Sequence, residues 1–167
     1  MAIKHLGQRV AVLIDVQNLY HSAKNLYGAR VNFREILKLA MGQRNLIRAF
    51  AYVVRTKTGE EKAFFEALIK LGIETRVRDL QEFYGGLKKA DWDVGITIDA
   101  IRIAPSVDTI ILASGDGDFI QLVEYLKNQG KRVEIIAFGR SASSRLKEVA
   151  DEFIDLERTP EKCLLKK

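Results

Sequence analysis

Short apolar segments alternate with helical patterns along most of this sequence. Six segments are predicted to form strands, at residues 10–14, 46–54, 73–77, 109–113, 132–138 and 153–156, and most of them have the nearly continuous apolar character of buried strands. Between them, apolar residues recur at the three- and four-residue spacing of helices, at residues 18–27, 33–41, 59–71, 91–104, 118–129 and 143–150. Residues 81–89 contain a Gly-Gly pair and are predicted to form a loop.

The order of these elements predicts the fold class. Strands that alternate with helices are typical of an α/β protein with a three-layer α/β/α arrangement, in which helices cover both faces of a central, mainly parallel sheet. The length of 167 residues fits one domain, which we place at residues 1–158, with residues 159–167 as a flexible tail. In such sheets a ligand binds beyond the carboxyl ends of the strands, where the strand order reverses.

Composition narrows the function classes. One cysteine (Cys163) and two histidines (His5 and His21) are too few for a disulfide framework or for a zinc site built from these residues. No apolar run is long enough for a signal peptide or a membrane span, so we expect a cytoplasmic protein with no membrane partner. The net charge of +5 favours a polyanionic partner such as nucleic acid, although it also suits an ordinary solvated surface. Either a monomer or an oligomer is compatible with the sequence.

Acidic side chains follow two of the predicted strands. Asp15 and Asn18 come after the first strand, and Asp116 and Asp118 come after the fourth. If these strands are neighbours at the centre of the sheet, the two loops meet, and their carboxylates repel one another unless a cation is bound. Because the candidate ligands are all oxygens, we expect Mg²⁺ or Mn²⁺ rather than Zn²⁺.

A third acidic group opens the helix predicted at residues 91–104. Asp91 suits the N-cap of that helix, and we assign it no chemistry. Asp93 lies in the first turn, whereas Asp99 lies about 120° further round the helix, so the two cannot point at one ion equally well. We favour Asp93 as the ligand and keep Asp99 as the second choice.

The same residues also suit purely structural roles. Asp15, Asp116 and Asp118 could cap the helices that follow them, and Asn18 could be a second cap or a turn residue. Asp93 could be a first-turn acid that the helix dipole favours. The sequence alone leaves these alternatives open.

Basic residues near the acidic segments are candidates for substrate contact. Lys88 and Lys89 precede Asp93 and could hold a phosphate backbone, although a lysine pair is more often solvated surface. Arg55 and Arg140 follow predicted strands and could form a basic rim, and Ser114 lies in the same segment as Asp116.

Four segments together resemble the bacterial NYN-domain family, a branch of the PIN-like nuclease fold. They are IDVQNLY at residues 14–20, KKADWDVGITIDAI at 88–101, SGDGDF at 114–119 and SSRLKEVADEFIDL at 143–156. The resemblance covers about residues 9–156. One departure is Trp92, which stands where the family often has a small apolar residue before the aspartate.

The resemblance implies a PIN-like sheet with the central strand order 3-2-1-4-5 and Mg²⁺- or Mn²⁺-dependent hydrolysis of RNA. Carried over by position, it implies that four aspartates bind metal or activate water, namely Asp15, Asp93, Asp116 and Asp118. It further implies that Asn18 positions the site and that Lys89 approaches the substrate.

The leading hypothesis is therefore a metal-dependent endoribonuclease that acts on single-stranded or structured RNA. A catalytically weak nucleic-acid-binding or regulatory domain on the same fold is the alternative. A phosphatase is disfavoured because the first strand ends in Asp15-Val16-Gln17 rather than in two aspartates two positions apart. A nucleotide-cofactor enzyme is disfavoured because the chain has neither G-x-G-x-x-G nor a P-loop lysine motif.

Overall fold

A computed structural model describes residues 5–56, 61–82, 88–89 and 91–165; for residues 81, 82, 88 and 89 only the backbone is described. Its strands, in chain order, are β1 (Arg9–Asp15), β2 (Arg30–Val31), β3 (Asn45–Arg55), β4 (Glu74–Asp79), β5 (Gln81–Glu82), β6 (Lys88–Lys89), β7 (Thr109–Ala113), β8 (Arg132–Ala137), β9 (Glu152–Asp155) and β10 (Leu164–Leu165). Its helices are α1 (Val16–Tyr27), α2 (Phe33–Met41), α3 (Lys62–Lys70), α4 (Asp93–Ile103), α5 (Ile120–Asn128), α6 (Ser144–Val149) and α7 (Pro160–Cys163).

The main sheet confirms the predicted fold class. It has six strands in the order β4-β3-β1-β7-β8-β9, and every neighbouring pair is parallel. Counted along the chain within this sheet alone, the order is 3-2-1-4-5-6, so the predicted central order 3-2-1-4-5 is extended by one edge strand. The order reverses between β1 and β7, where Ile14 lies beside Ala113. The segments that follow these two strands therefore emerge side by side.

Helices cover both faces of the sheet because alternate residues of each central strand point to opposite sides. In β1, Val10, Val12 and Ile14 belong to one buried cluster, which also contains apolar residues of α1, α2 and α3. Ala11 and Leu13 belong to the other cluster, together with residues of α4, α5 and α6. The chain thus forms the three-layer arrangement expected from the sequence. None of the helices in the described ranges is long and apolar enough to cross a membrane.

The element bounds differ from the sequence predictions in two places close to the acidic residues. The helix predicted from residue 91 begins at Asp93, with Trp92 at its N-cap, because the Trp92 indole N–H donates to the backbone oxygen of Val53 and packs against Tyr52. Asp91 is therefore not the N-cap, although its carboxylate accepts a 3.4 Å hydrogen bond from the backbone N–H of Asp93. In the segment predicted to be a loop, β5 and β6 pair as a short antiparallel hairpin.

The end of the chain also differs from the predicted flexible tail. Residues 160–163 form α7, and β10 pairs antiparallel with β2, with Leu164 opposite Val31. The side chain of Cys163 is fully buried in the core, and its backbone oxygen accepts a 2.7 Å hydrogen bond from the N–H of Asn32. Residues 160–165 thus pack against the domain, because burial of Cys163 and the pairing of Leu164 with Val31 outweigh the effect of the lysines in this segment.

Candidate metal centre

Three of the predicted ligands lie together at the carboxyl edge of the sheet. Carboxylate oxygens of Asp93, Asp116 and Asp118, one from each residue, all lie within 4.8 Å of one another. Asp93 begins α4, whereas Asp116 and Asp118 lie in the segment between β7 and α5. Elements from both sides of the point where the strand order reverses thus contribute to one acidic cluster, defined here as Asp93, Asp116 and Asp118.

The segment that carries Asp116 is held by close backbone packing. The backbone N–H of Gly115 donates to the side-chain oxygen of Asn18 at 2.9 Å, and its carbonyl accepts from the N–H of Ser143 at 2.9 Å. A Cβ atom on Gly115 would approach the Cα atom of Ala142 to 2.9 Å, closer than a side chain allows. Asn18 is therefore a positioning residue for this segment, and a glycine is required at 115.

Asp116 also has a structural role, and this role leaves acceptor positions on its carboxylate that a metal ion could occupy. One of its oxygens accepts a 2.9 Å hydrogen bond from the backbone N–H of Asp118 and so caps the short 3-10 turn Gly117–Phe119. A carboxylate has two oxygens and about four acceptor positions. Capping and metal binding are therefore compatible at this residue, so the structural alternative does not exclude the chemical one.

Asp15 lies at the end of β1 with only 7% of its surface exposed. Its Oδ2 accepts a 2.9 Å hydrogen bond from the hydroxyl of Ser114, and its Oδ1 accepts a longer one, 3.3 Å, from the backbone N–H of Asn18. Burial raises the pKa of Asp15, and the charges of Asp116 and Asp91 raise it further, whereas the bonds from Ser114 and Asn18 lower it. Both oxygens of Asp15 thus already accept hydrogen bonds, and its carboxylate joins the two segments that follow β1 and β7.

The surroundings of Asp93 destabilise the ionised form of its carboxyl group. Its pKa is raised to about 7, first by burial and then by repulsion from Asp116, Asp15 and Asp91, and a hydrogen bond with the carboxyl group of Asp118 favours the protonated form further. Its position is fixed through the backbone, because its carbonyl accepts a 2.7 Å hydrogen bond from the hydroxyl of Thr97. A divalent cation would remove this repulsion, and an all-oxygen donor set is the one that Mg²⁺ and Mn²⁺ prefer. The residues present therefore fit such an ion.

Asp99, the second choice for the third ligand, lies in a different environment. Its Oδ2 accepts a 2.8 Å hydrogen bond from the hydroxyl of Tyr52 and forms an ion pair with Nε of Arg76 at 3.2 Å. Within the described ranges, it is not grouped with the acidic cluster. These contacts neutralise Asp99 and bind α4 to β3 and β4.

Of the residues predicted to contact substrate, the three whose side chains are described are already bonded within the protein. Arg55 is bound to Asp79 at 2.9 Å, and Arg140 is bound to Glu157 at 2.7 Å, so each guanidinium already has a carboxylate partner. Ser114 is fully buried, and its hydroxyl is directed at Asp15 rather than at the surface. The side chains of Lys88 and Lys89 lie outside the described residues.

Two residues near the cluster were missed or misjudged from the sequence. Trp92, noted only as a departure from the family pattern, anchors the start of α4 on β3. Arg78 was not considered, yet its guanidinium lies 4.4 Å from the centre of the Trp92 ring and donates to the backbone oxygen of Asp91 at 2.8 Å. The alternation in the segment Arg76-Val77-Arg78 at the end of a predicted strand was the available signal, because it places both arginines on one face.

Comparison with known proteins agrees with this architecture. The sequence matches the NYN domain over residues 9–157. It is 27% identical to the low amplitude and bright protein LabA of Synechococcus elongatus, over 89% of this chain and 83% of that protein. It is also 27% identical to an uncharacterised protein of Methanocaldococcus jannaschii, over 93% of this chain but only 58% of that longer protein.

Among solved structures, a protein of unknown function from Vibrio parahaemolyticus superposes with a TM-score of 0.87 and 33% sequence identity, covering 98% of this chain and 100% of that one. The matched region contains the whole main sheet and the acidic cluster. The chain belongs to the NYN domain family, with its PIN-like nuclease fold.

Proposed function

We propose that this protein is a Mg²⁺- or Mn²⁺-dependent endoribonuclease of the cytoplasm that hydrolyses phosphodiester bonds in RNA. The observation that carries the proposal is the acidic cluster, with oxygens of Asp93, Asp116 and Asp118 within 4.8 Å of one another. Two further facts favour a catalytic site at the cluster: the chain belongs to a nuclease-like family, and the cluster lies at the carboxyl ends of the strands.

The roles of the residues follow from their contacts. Asp93, Asp116 and Asp118 would hold the ion, which, when bound, polarises the phosphate and favours a water molecule as the nucleophile. Asp15 adds negative charge beside the cluster and, through Ser114, holds the ends of β1 and β7 together. Asn18 accepts a hydrogen bond from the backbone N–H of Gly115 and thereby fixes the backbone next to Asp116.

A polyanionic substrate such as RNA is supported by charge. The chain has a net charge of +5 in spite of the carboxylates gathered at its site, so the residues outside the acidic cluster carry an excess of positive charge. Such an excess raises the local concentration of a polyanion and supplies affinity that does not depend on sequence. The cation at the cluster would then offset the remaining repulsion between the aspartates and a phosphate.

Cleavage of labelled single-stranded RNA tests the proposal, with the native chain compared with Asp116→Asn in Mn²⁺, in Mg²⁺ and in a chelator. We expect metal-dependent cleavage by the native chain and a rate lower by about 100-fold or more in the variant, since the ion contributes several kcal/mol to the transition state. Asp108→Asn is the matched control, because Asp108 precedes β7 at the opposite end of the same strand and bonds to Arg9.

The control variant should retain native activity. Equal activity of native chain and Asp116→Asn would overturn the proposal for this site. Binding of RNA without cleavage by any chain would instead support a nucleic-acid-binding domain.

A further inference from the structure

The arginines near the carboxyl ends of β3, β4 and β8 differ in whether a carboxylate already neutralises them. Arg55 pairs with Asp79, Arg76 with Asp99, and Arg140 with Glu157. Arg78, on β4, has no carboxylate partner among the described residues; its contacts there are the Asp91 backbone oxygen and the Trp92 ring. As far as the described side chains show, its positive charge is therefore available to a ligand.

Arg78 is also held in a defined direction, against the two residues that lead into Asp93 of the acidic cluster. Its Nη1 donates to the carbonyl of Asp91, two residues before Asp93, and its guanidinium lies 4.4 Å from the centre of the Trp92 ring. Trp92 itself is fixed by its bond to Val53 and its packing against Tyr52. A guanidinium has five N–H donors in a planar fork, so one bond to Asp91 leaves several for a phosphate.

We propose that Arg78 binds a phosphate of the RNA strand adjacent to the one that is cleaved. This inference deepens the proposed function and rests on RNA being the ligand. The stacked guanidinium is preorganised, which reduces the entropy lost when it binds, and its charge offsets the repulsion between the RNA backbone and the nearby aspartates. Arg78 would thus fix where the strand lies relative to Asp93, so it is a positioning residue for the substrate.

Binding of a labelled single-stranded RNA, measured by fluorescence anisotropy at several salt concentrations, tests this proposal. All chains carry Asp116→Asn and are measured in Mg²⁺, so that the RNA stays intact. We expect Arg78→Ala to weaken binding by about five- to tenfold and to lower the slope of log affinity against log salt by about 0.7, the value for one phosphate contact on a single strand. Arg78→Lys keeps the charge but loses the fork and should give an intermediate affinity.

Arg34→Ala is the matched control, because Arg34 is an exposed arginine on α2, which packs on the opposite face of the sheet from α4. It removes the same charge and should change affinity by less than about twofold. Mn²⁺ affinity, measured without Asp116→Asn, should be no lower in Arg78→Ala than in the native chain, which shows that the start of α4 is intact.

Arg78→Ala with the affinity and salt slope of the control would overturn the role of Arg78 and leave the nuclease proposal standing. Loss of binding in Arg78→Ala, together with no cleavage by the native chain in Mn²⁺, would support Arg78 and overturn the nuclease. Failure of every chain to bind RNA would overturn the Arg78 proposal, while the cleavage assay would judge the nuclease separately.

Discussion

The hydroxyl of Ser114 donates a 2.9 Å hydrogen bond to Oδ2 of Asp15, and both residues are buried where β1 and β7 lie side by side. The two residues follow Ile14 and Ala113, which are neighbours in the parallel register, so the bond is a direct result of the strand order. The same hydroxyl oxygen accepts a 3.2 Å bond from the backbone N–H of Asp116. One serine therefore connects the most buried aspartate to the segment that carries two members of the acidic cluster.

Replacing Ser114 with alanine should destabilise the fold in a manner that depends on pH. The hydroxyl favours the ionised form of Asp15, so its loss raises the pKa of that carboxyl above its already raised value. We expect a loss of about 1.5–3 kcal/mol in the free energy of unfolding, typical of a hydrogen bond to a charged group. The loss should grow as the pH rises and Asp15 ionises, as measured by urea unfolding at several pH values.

Ser141→Ala is a suitable comparison, because the Ser141 hydroxyl bonds to the hydroxyl of Ser22 and to the backbone oxygen of Phe138, both uncharged. Its effect should not vary with pH. A pH-independent loss in Ser114→Ala would show that the bond does not stabilise the charge on Asp15.

The raised pKa of Asp93 predicts how metal-free stability changes with pH. The group titrates near 3.8 when unfolded and near 7 when folded, so the folded state binds its proton more tightly. The stability that this proton provides is complete below the unfolded pKa and is lost as the pH rises through the folded pKa. Asp93→Asn should therefore stabilise the metal-free protein at about pH 8 and have much less effect at about pH 4.

Thermal unfolding of both chains across this range, in a chelator, measures the difference. A divalent cation should raise the melting temperature of the native chain most above the folded pKa, where the carboxylates are ionised. Parallel pH profiles for native chain and Asp93→Asn would contradict the electrostatic account of the cluster.

The packing of residues 160–165 predicts that this segment contributes to stability. Cys163 is fully buried and the strand pair β10–β2 lies beside it. Ending the chain at Arg158 should lower the free energy of unfolding by about 1.5–3 kcal/mol, the contribution of one fully buried apolar side chain. Urea unfolding checks this, with Lys162→Ala as a control that alters an exposed residue of α7. Equal urea midpoints for the truncated and native chains would contradict a contribution of this segment to stability.

The fold was predictable because its main signals are local. The central strands β1 and β7 are short apolar runs that are buried on both faces, from Val10 to Ile14 in β1 and from Thr109 to Ala113 in β7, so their pattern needs no distant information. The two-residue strands β2 and β10 could not be predicted in this way. They are too short to carry a pattern, and they exist only because the chain end returns to pair with Val31.

The site was predictable to the extent that topology brings strand ends together. Asp116 and Asp118 follow β7, and the reversal of strand order beside β1 is a general place for ligands. Partners on distant segments could not be predicted. Glu134 stands in an apolar strand, and its bidentate ion pair with Arg44, at 2.8 and 2.9 Å, joins residues 90 positions apart.

The choice between Asp93 and Asp99 shows the same limit. Helix geometry indicates that they point in different directions, but only the contacts of Asp99 with Tyr52 and Arg76 show that its charge is already neutralised. Those partners lie on β3 and β4, and no spacing rule connects them to α4. Arg78 was missed for a related reason, since its distinction is the absence of a carboxylate partner in the described part of the chain.

The most direct test of the account is a titration of Mn²⁺ into the protein, with free Mn²⁺ followed by electron paramagnetic resonance. The native chain and the Asp108→Asn control should bind Mn²⁺ alike, whereas Asp93→Asn, Asp116→Asn and Asp118→Asn should each bind at least about tenfold more weakly, because each loses a candidate ligand. This outcome does not depend on which RNA is the substrate. Binding of equal strength in the native chain and in all three cluster variants would contradict the metal centre and the ribonuclease mechanism built on it.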